Sequence, residues 1–251
     1  MIKKIIFSFL FFTIIGCDSE GASDCIQSSG DIIQQDIEVT RFNKIIVWDG
    51  IKLFIKQGDT QSVVVETGEN LLNEISVSVF DNLLEIRNGN TCNLVRDYGI
   101  TKVYVTTPEL SEIRNSSGLA VESQGLISFR ELLLISDDPD NLGEYQNDGD
   151  FIMDSLNIRT LRVTANGLAT FFLKGKAFNC HLGAADSDVR IEAQDLEIQH
   201  LYLFHRSTNK MIVSPQQSIR GKILGLGDVI SLHQPPIVEV EEFYTGRLIF
   251  E

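Results

Sequence analysis

Basic residues are scarce in this sequence: 21 Lys and Arg stand against 35 Asp and Glu, a formal net charge of −14 over 251 residues. Nucleic-acid binding needs stripes of Lys and Arg to replace the counterions of the phosphate backbone, so this balance argues against that partner. It argues equally against broad adsorption to anionic lipid. Histidine is rare too. His181, His200, His205 and His233 form no HxxH or HExxH spacing, and each is read as satisfied or solvated. No CxxC or Cys/His pair has zinc-ligand spacing. GxSxG, SxxK and Cys–His nucleophile signatures are also missing, so neither cofactor nor catalysis is expected. No stretch holds the helical i, i+3, i+4, i+7 pattern over about 12 residues. The N-terminal apolar run, residues 5–15, is far short of the ~20 residues a membrane-spanning helix needs.

That run follows Lys3 and Lys4 and ends at Gly16-Cys17. A positive start, a short apolar stretch and a small residue at the cut site make a secretory signal. Ile14-Ile15-Gly16-Cys17 is similar to a lipobox, which implies a lipidated Cys17 as mature N-terminus. The expected organisation is a signal peptide over 1–16, an acidic tether over 17–37 and a folded domain over 38–251. The lipid on Cys17 would then anchor the chain to a membrane of the cell envelope, with the outer membrane, facing periplasm or exterior, as the expected location.

Three cysteines remain: Cys25, Cys92 and Cys180. In an exported chain an odd number fits one disulfide and one free thiol. Cys25 with Cys92 would tie the tether to the 88–97 loop; a set of buried or unpaired thiols is the other reading.

Past the tether, everything reads as strand. Segments 45–48, 52–55, 63–65, 75–79, 83–86 and 103–105 are short and β-branched, bounded by Gly, Asn, Asp or Thr-Pro. Residues 70–74 make one helical turn at most. In the second half, small turn-forming residues precede strand starts near Phe151, Phe171, Val189, Met211 and Val229, spaced 20, 18, 22 and 18 residues apart. Second strands lie between them at 132–135, 156–163, 196–203 and 219–224. A period near 20 with two or three short strands per repeat is what a β-solenoid coil requires. A β-sandwich whose hairpins recur at that spacing is the competing architecture. Residues 137–147 would bulge as a loop from one coil.

Several residues are candidates for chemistry. Asp186 and Asp188, two apart, would share a face of an extended strand within the range of paired-carboxylate glycosidases. Asp148 and Asp150 repeat the spacing. Asp is also a preferred turn residue, and that structural use is favoured. Asp137, Asp138 and Asp140 offer oxygen ligands for calcium but lack an EF-hand's spacing; a solvated acidic loop is the favoured reading. Phe172 beside Phe171, Tyr202 and Phe204 alternating with Leu201 and Leu203, and Tyr145 on the long loop are aromatic binding candidates, suited to stacking on sugars or docking a protein.

The segment 41–58, with Gly50-Ile51 ahead of a strand ending in Gln57-Gly58, carries a family likeness. So do 103–113, the Ser116-Ser117-Gly118 turn, Gly225 to Asp228 and the closing Gly246-Arg247. Together with the lipobox these resemble the bacterial lipoprotein family called putative auto-transporter adhesin, head GIN domain, over roughly 38–251. The family's Ser-Gly turns are here eroded to Ala165-Asn166-Gly167 and Ala184 to Ser187. The resemblance implies an all-β, right-handed β-helix-like fold with coils of about 20 residues and a binding or adhesion role toward a glycan or protein. A β-helix hydrolase or lyase using Asp186 and Asp188 is the alternative.

Overall fold

Asp49 and Gly50 both hold left-handed backbone, at φ 57° and 70°, and so do Asp81 and Asn82, at 49° and 62°. The two tight reversals have different outcomes. In this computed structural model, which describes residues 24–90, 92–140 and 142–251, Asp81 and Asn82 join two antiparallel partners in a hairpin, as such residues favour. Asp49 and Gly50 instead turn a corner: the strands on either side never pair with each other and each finds partners far along the chain.

The described residues are all-β. The first strands are β1 (Ile32–Asp36), β2 (Lys44–Trp48), β3 (Lys52–Gln57), β4 (Ser62–Gly68), β5 (Ile75–Phe80) and β6 (Leu83–Asn88). β7 (Lys102–Thr107), β8 (Glu112–Ser116), β9 (Val121–Ser123) and β10 (Glu131–Ser136) follow. Four long strands come next: β11 (Phe151–Ala165), β12 (Thr170–Ala184), β13 (Arg190–His205) and β14 (Met211–Ile223). β15 (Val229–Ser231), β16 (Ile237–Glu242) and β17 (Leu248–Phe250) end the chain. One helical turn, Leu72–Glu74, falls within the 70–74 segment expected to hold one.

All 17 strands belong to one curled sheet. Parallel pairing runs in two tracks. One passes from β6 through β2, β8 and β10 into the C-terminal halves of β11 to β14 and on to β16. The other passes from β7 through β3 and β9 into their N-terminal halves and on to β15 and β17. Side chains at matching positions therefore stack at the inter-strand spacing of about 4.8 Å. Ile113, Leu134, Val163, Leu182 and Leu203 form one inward ladder. Val121, Phe151, Phe171, Ile191, Met211 and Val229 form another. Both are buried and belong to a single hydrophobic core.

Two details differ from the sequence reading. Phe171 pairs with Ile191 rather than Val189. Both are inward and fully buried, and a period of two gives alternation no means of choosing between them. The short first and second strands of the later repeats are also continuous in β11 to β14, with shifts of register near 153–156, 172–175 and 193–197 where the chain bends.

The N-terminal segment is partly folded onto this sheet. β1, within the residues expected to form the tether, pairs antiparallel with β4, and Gln34 Nε2 donates to Glu66 Oε2 at 2.6 Å. Cys25 and Cys92 form a disulfide. Leu94 N–H donates to the Cys25 carbonyl, and the Arg96 guanidinium donates to the carbonyls of Gln27 and Cys92. Cys180 is free and sits in an inward ladder between Leu161 and Leu201. Burial pushes its thiol far up from the ordinary 9.0, so it packs as a small apolar group and is not a ready nucleophile. Cys17, the 1–16 leader and the start of the tether lie outside the described residues.

Candidate binding surface

Alternation in β13 sorts its side chains cleanly. Leu201, Leu203 and His205 point into the core, while Tyr202 and Phe204 point out, 47% and 37% exposed. In β12, Leu182 is buried and His181 is outward beside Tyr202, their ring centroids 5.9 Å apart. Register places Gly183 next to Phe204. Arg162 and Thr164 of β11 continue the two outward rows on one side, and Arg220 and Lys222 of β14 on the other. These rows contain no carboxylate. The nearest acids stand one strand further out, where Glu131 meets Arg162 at 3.6 Å, Glu239 meets Arg220 at 2.8 Å and Glu241 meets Lys222 at 4.0 Å. Burial, aided by the Arg162 charge, pushes the pKa of His181 below its ordinary 6.5, so the imidazole is neutral at neutral pH.

A polar chain that no sequence motif signals runs beside this face. Arg220 Nη1 donates to Ser218 Oγ at 2.9 Å, and Ser218 Oγ lies 3.0 Å from Nδ1 of His200. The Ser218 hydroxyl thus bridges Arg220 and His200 and anchors the imidazole through Nδ1. Phe178, 51% exposed, meets the His200 ring edge-on at 5.4 Å. The odd separation of His200 and His205 is the one signal in the sequence that puts them on opposite sides of a strand.

The other aromatic candidates lie elsewhere. Phe172 is outward, as its neighbour Phe171 is inward, but it stands on the second track between Ile152 and Glu192. It shares no face with Tyr202 and Phe204. Tyr145 is committed to the loop: its ring stacks on Trp48 at 5.1 Å, with the Arg114 guanidinium over Tyr145 and that of Arg87 over Trp48.

The carboxylate candidates are engaged in shaping turns. Residues 185–189 form a turn rather than a strand, with Ser187 at φ 56°, so Asp186 and Asp188 do not share a strand face. Asp188 accepts from Thr208 Oγ1 at 2.7 Å and Asn209 Nδ2 at 3.2 Å in the next turn. Asp186 accepts from Ser187 N–H at 2.9 Å and meets Arg206 at 3.5 Å. Asp150 accepts from Thr170 N–H in the same way. In the long loop, Asp137 pairs with Arg114 at 2.6 Å and the buried Asp138 accepts from Gly143 N–H, while Asp140 is exposed. Among the described residues, no three His, Cys, Asp or Glu converge as metal ligands would. Nor is any helix among them long and apolar enough to cross a membrane.

The family described as "Putative auto-transporter adhesin, head GIN domain" matches residues 41–235. The chain belongs to that family. Solved structures of bacterial proteins share the fold. One, described as a "putative adhesin" from Bacteroides fragilis, superposes with a TM-score of 0.78 at 19% identity, covering 89% of this chain and 99% of the other. A "putative lipid binding protein" from Parabacteroides distasonis gives 0.66 at 13% identity, over 88% and 97%. A "putative adhesin" from the same species gives 0.66 at 15%, over 88% and 99%. At such identities the likeness is one of fold alone. No curated protein matches the chain in sequence.

Proposed function

We propose that this head GIN domain protein is a lipid-anchored binding protein of the cell envelope, held through Cys17 and engaging a protein or glycan over a broad outer sheet face. The observation that carries this reading is the outward surface of β12 and β13, where Tyr202, Phe204 and His181 stand exposed on a rigid parallel ladder without a carboxylate among them. Exposed aromatic groups on a flat, preorganised surface are what contact with a partner rewards. The pairing offsets support the β-solenoid reading of this surface: Phe151, Phe171, Ile191 and Met211 pair in series at steps of 20 residues. The hydrolase or lyase reading has no comparable support, because Asp186 and Asp188 are spent on the turns of neighbouring repeats.

Two measurements test the reading. The purified chain is applied to an array of glycans and extracellular-matrix proteins beside a Tyr202→Glu, Phe204→Glu variant. The parent should hold at least one ligand that the variant loses, and polysaccharide cleavage without any such binding would overturn the role. Palmitate labelling of cells expressing the full chain should disappear on Cys17→Ser. Label that survives the substitution would overturn the anchor.

A further inference from the structure

The middle of this face carries no charge although the chain as a whole is at −14. In these two rows β12 and β13 contribute His181, Gly183, Tyr202 and Phe204, and the cations on either side are each drawn to an acid beyond them. An anionic polymer would gain little from cations already paired and would meet the field of an acidic protein. A cationic partner finds no carboxylate in the middle to meet it. The surface suits a ligand that is neutral, apolar on one side and rich in hydroxyls on the other.

We propose that this face binds an uncharged glycan chain, with Tyr202 and Phe204 as stacking rings and His200 as a hydrogen-bonding partner. The proposal rests on the binding role given above and names the ligand class for that same surface. Tyr202 and Phe204 are two residues apart on one strand, so their Cα atoms are about 7 Å apart along it. Gly183, paired beside Phe204, leaves the β12 flank of that ring without a side chain, so the axial C–H groups of a sugar can pack there on the aromatic face. Sugar hydroxyls then need fixed polar partners. The bridge from Arg220 through Ser218 anchors His200 by Nδ1, two residues from Tyr202 on the same strand, which leaves Nε2 as the ring nitrogen for a sugar hydroxyl. Neutral His181 beside Tyr202 adds a second polar edge.

Affinity electrophoresis of the purified chain in gels containing galactomannan, xyloglucan, dextran or alginate tests this. Retardation is expected in at least one neutral polysaccharide and not in alginate. Tyr202→Ala and Phe204→Ala should each weaken it about tenfold, His200→Ala should weaken it less, and Phe172→Ala on the other track should leave it unchanged. Thermal melts of every variant should match the parent, since these side chains point outward; where one does not, the other two on this face decide. No retardation in any neutral polysaccharide, retardation in alginate alone, or retention that survives both ring substitutions would overturn the proposal. A protein ligand on the array that depends on Tyr202, found without any glycan, would overturn this inference while leaving the binding role intact.

Discussion

Tyr145 lies on Trp48 with ring centroids 5.1 Å apart and planes 25° from parallel. The contact holds the 142–149 segment against the end of β2, with the Arg114 guanidinium over Tyr145 and that of Arg87 over Trp48. Other bonds assist: Gln146 N–H donates to Ser116 Oγ, and Asn166 Oδ1 accepts from Asp138 N–H and Asn147 Nδ2. Trp48 is the only tryptophan in the chain, so its fluorescence reports this contact without interference. Tyr145→Ala should shift the emission maximum to the red and raise acrylamide quenching, with a stability loss of about 1–2 kcal/mol. An unchanged spectrum would show that the ring does not cover Trp48 in solution.

The disulfide between Cys25 and Cys92 closes a loop spanning 67 residues. On chain-entropy grounds such a link disfavours the unfolded state by about 4 kcal/mol. It also holds the 25–28 strip against the loop containing Arg96. Reduction, or Cys92→Ser, should lower the midpoint of chemical unfolding and open residues 25–31 to proteolysis first. Equal unfolding midpoints with and without reductant would contradict the bond's contribution.

What the sequence showed plainly was alternation. Phe171 in and Phe172 out, and Leu201 in with Tyr202 out, follow from a period of two once strands are recognised. Pairing was much less legible. Asp49-Gly50 and Asp81-Asn82 are near-identical turn signals, yet one makes a corner and the other a hairpin, because the partner of β3 is set by Val103 and Val121 far along the chain. The same limit hid β1. Its Ile32 and Ile33 look like part of an acidic tether until β4 offers an edge. The binding face emerged only with register: nothing in the order of residues places Gly183 beside Phe204, or Ser218 beside His200.

His205 is fully buried, and neither of its ring nitrogens reaches hydrogen-bond geometry. Burial pushes its pKa below the ordinary 6.5, against weaker pulls upward from the backbones of Asn209 and Gly227 and the Asp228 carboxylate. The folded chain therefore holds the imidazole neutral, while the unfolded chain takes up a proton once pH falls through about 6.5. No stability is at stake above that value. Below it the unfolded state is favoured, and the loss levels off once pH passes the depressed folded value. Urea unfolding should show a lower midpoint at pH 5.5 than at pH 7.5, and a His205→Gln variant should flatten that difference. If parent and variant lose stability in parallel, another group carries the pH dependence.

Gly221 tests the ladder itself. It occupies an inward position in β14, paired with Leu203 of β13 and Val240 of β16, and has φ 133°. A Cβ built there would collide with the Leu203 carbonyl, a backbone atom that cannot swing aside as a side-chain tip would. Only glycine holds this backbone conformation without strain, and it lets adjacent strands approach at this rung. Gly221→Ala should cost about 1–3 kcal/mol in chemical unfolding. Gly183→Ala, at an outward position of β12, has no left-handed φ and meets only the Val163 carbonyl at 3.1 Å. It should cost distinctly less. A reversed order would mean that the close approach at Gly221 is not what constrains that position, and the stacking of β13 on β14 would have to be held by the side chains alone.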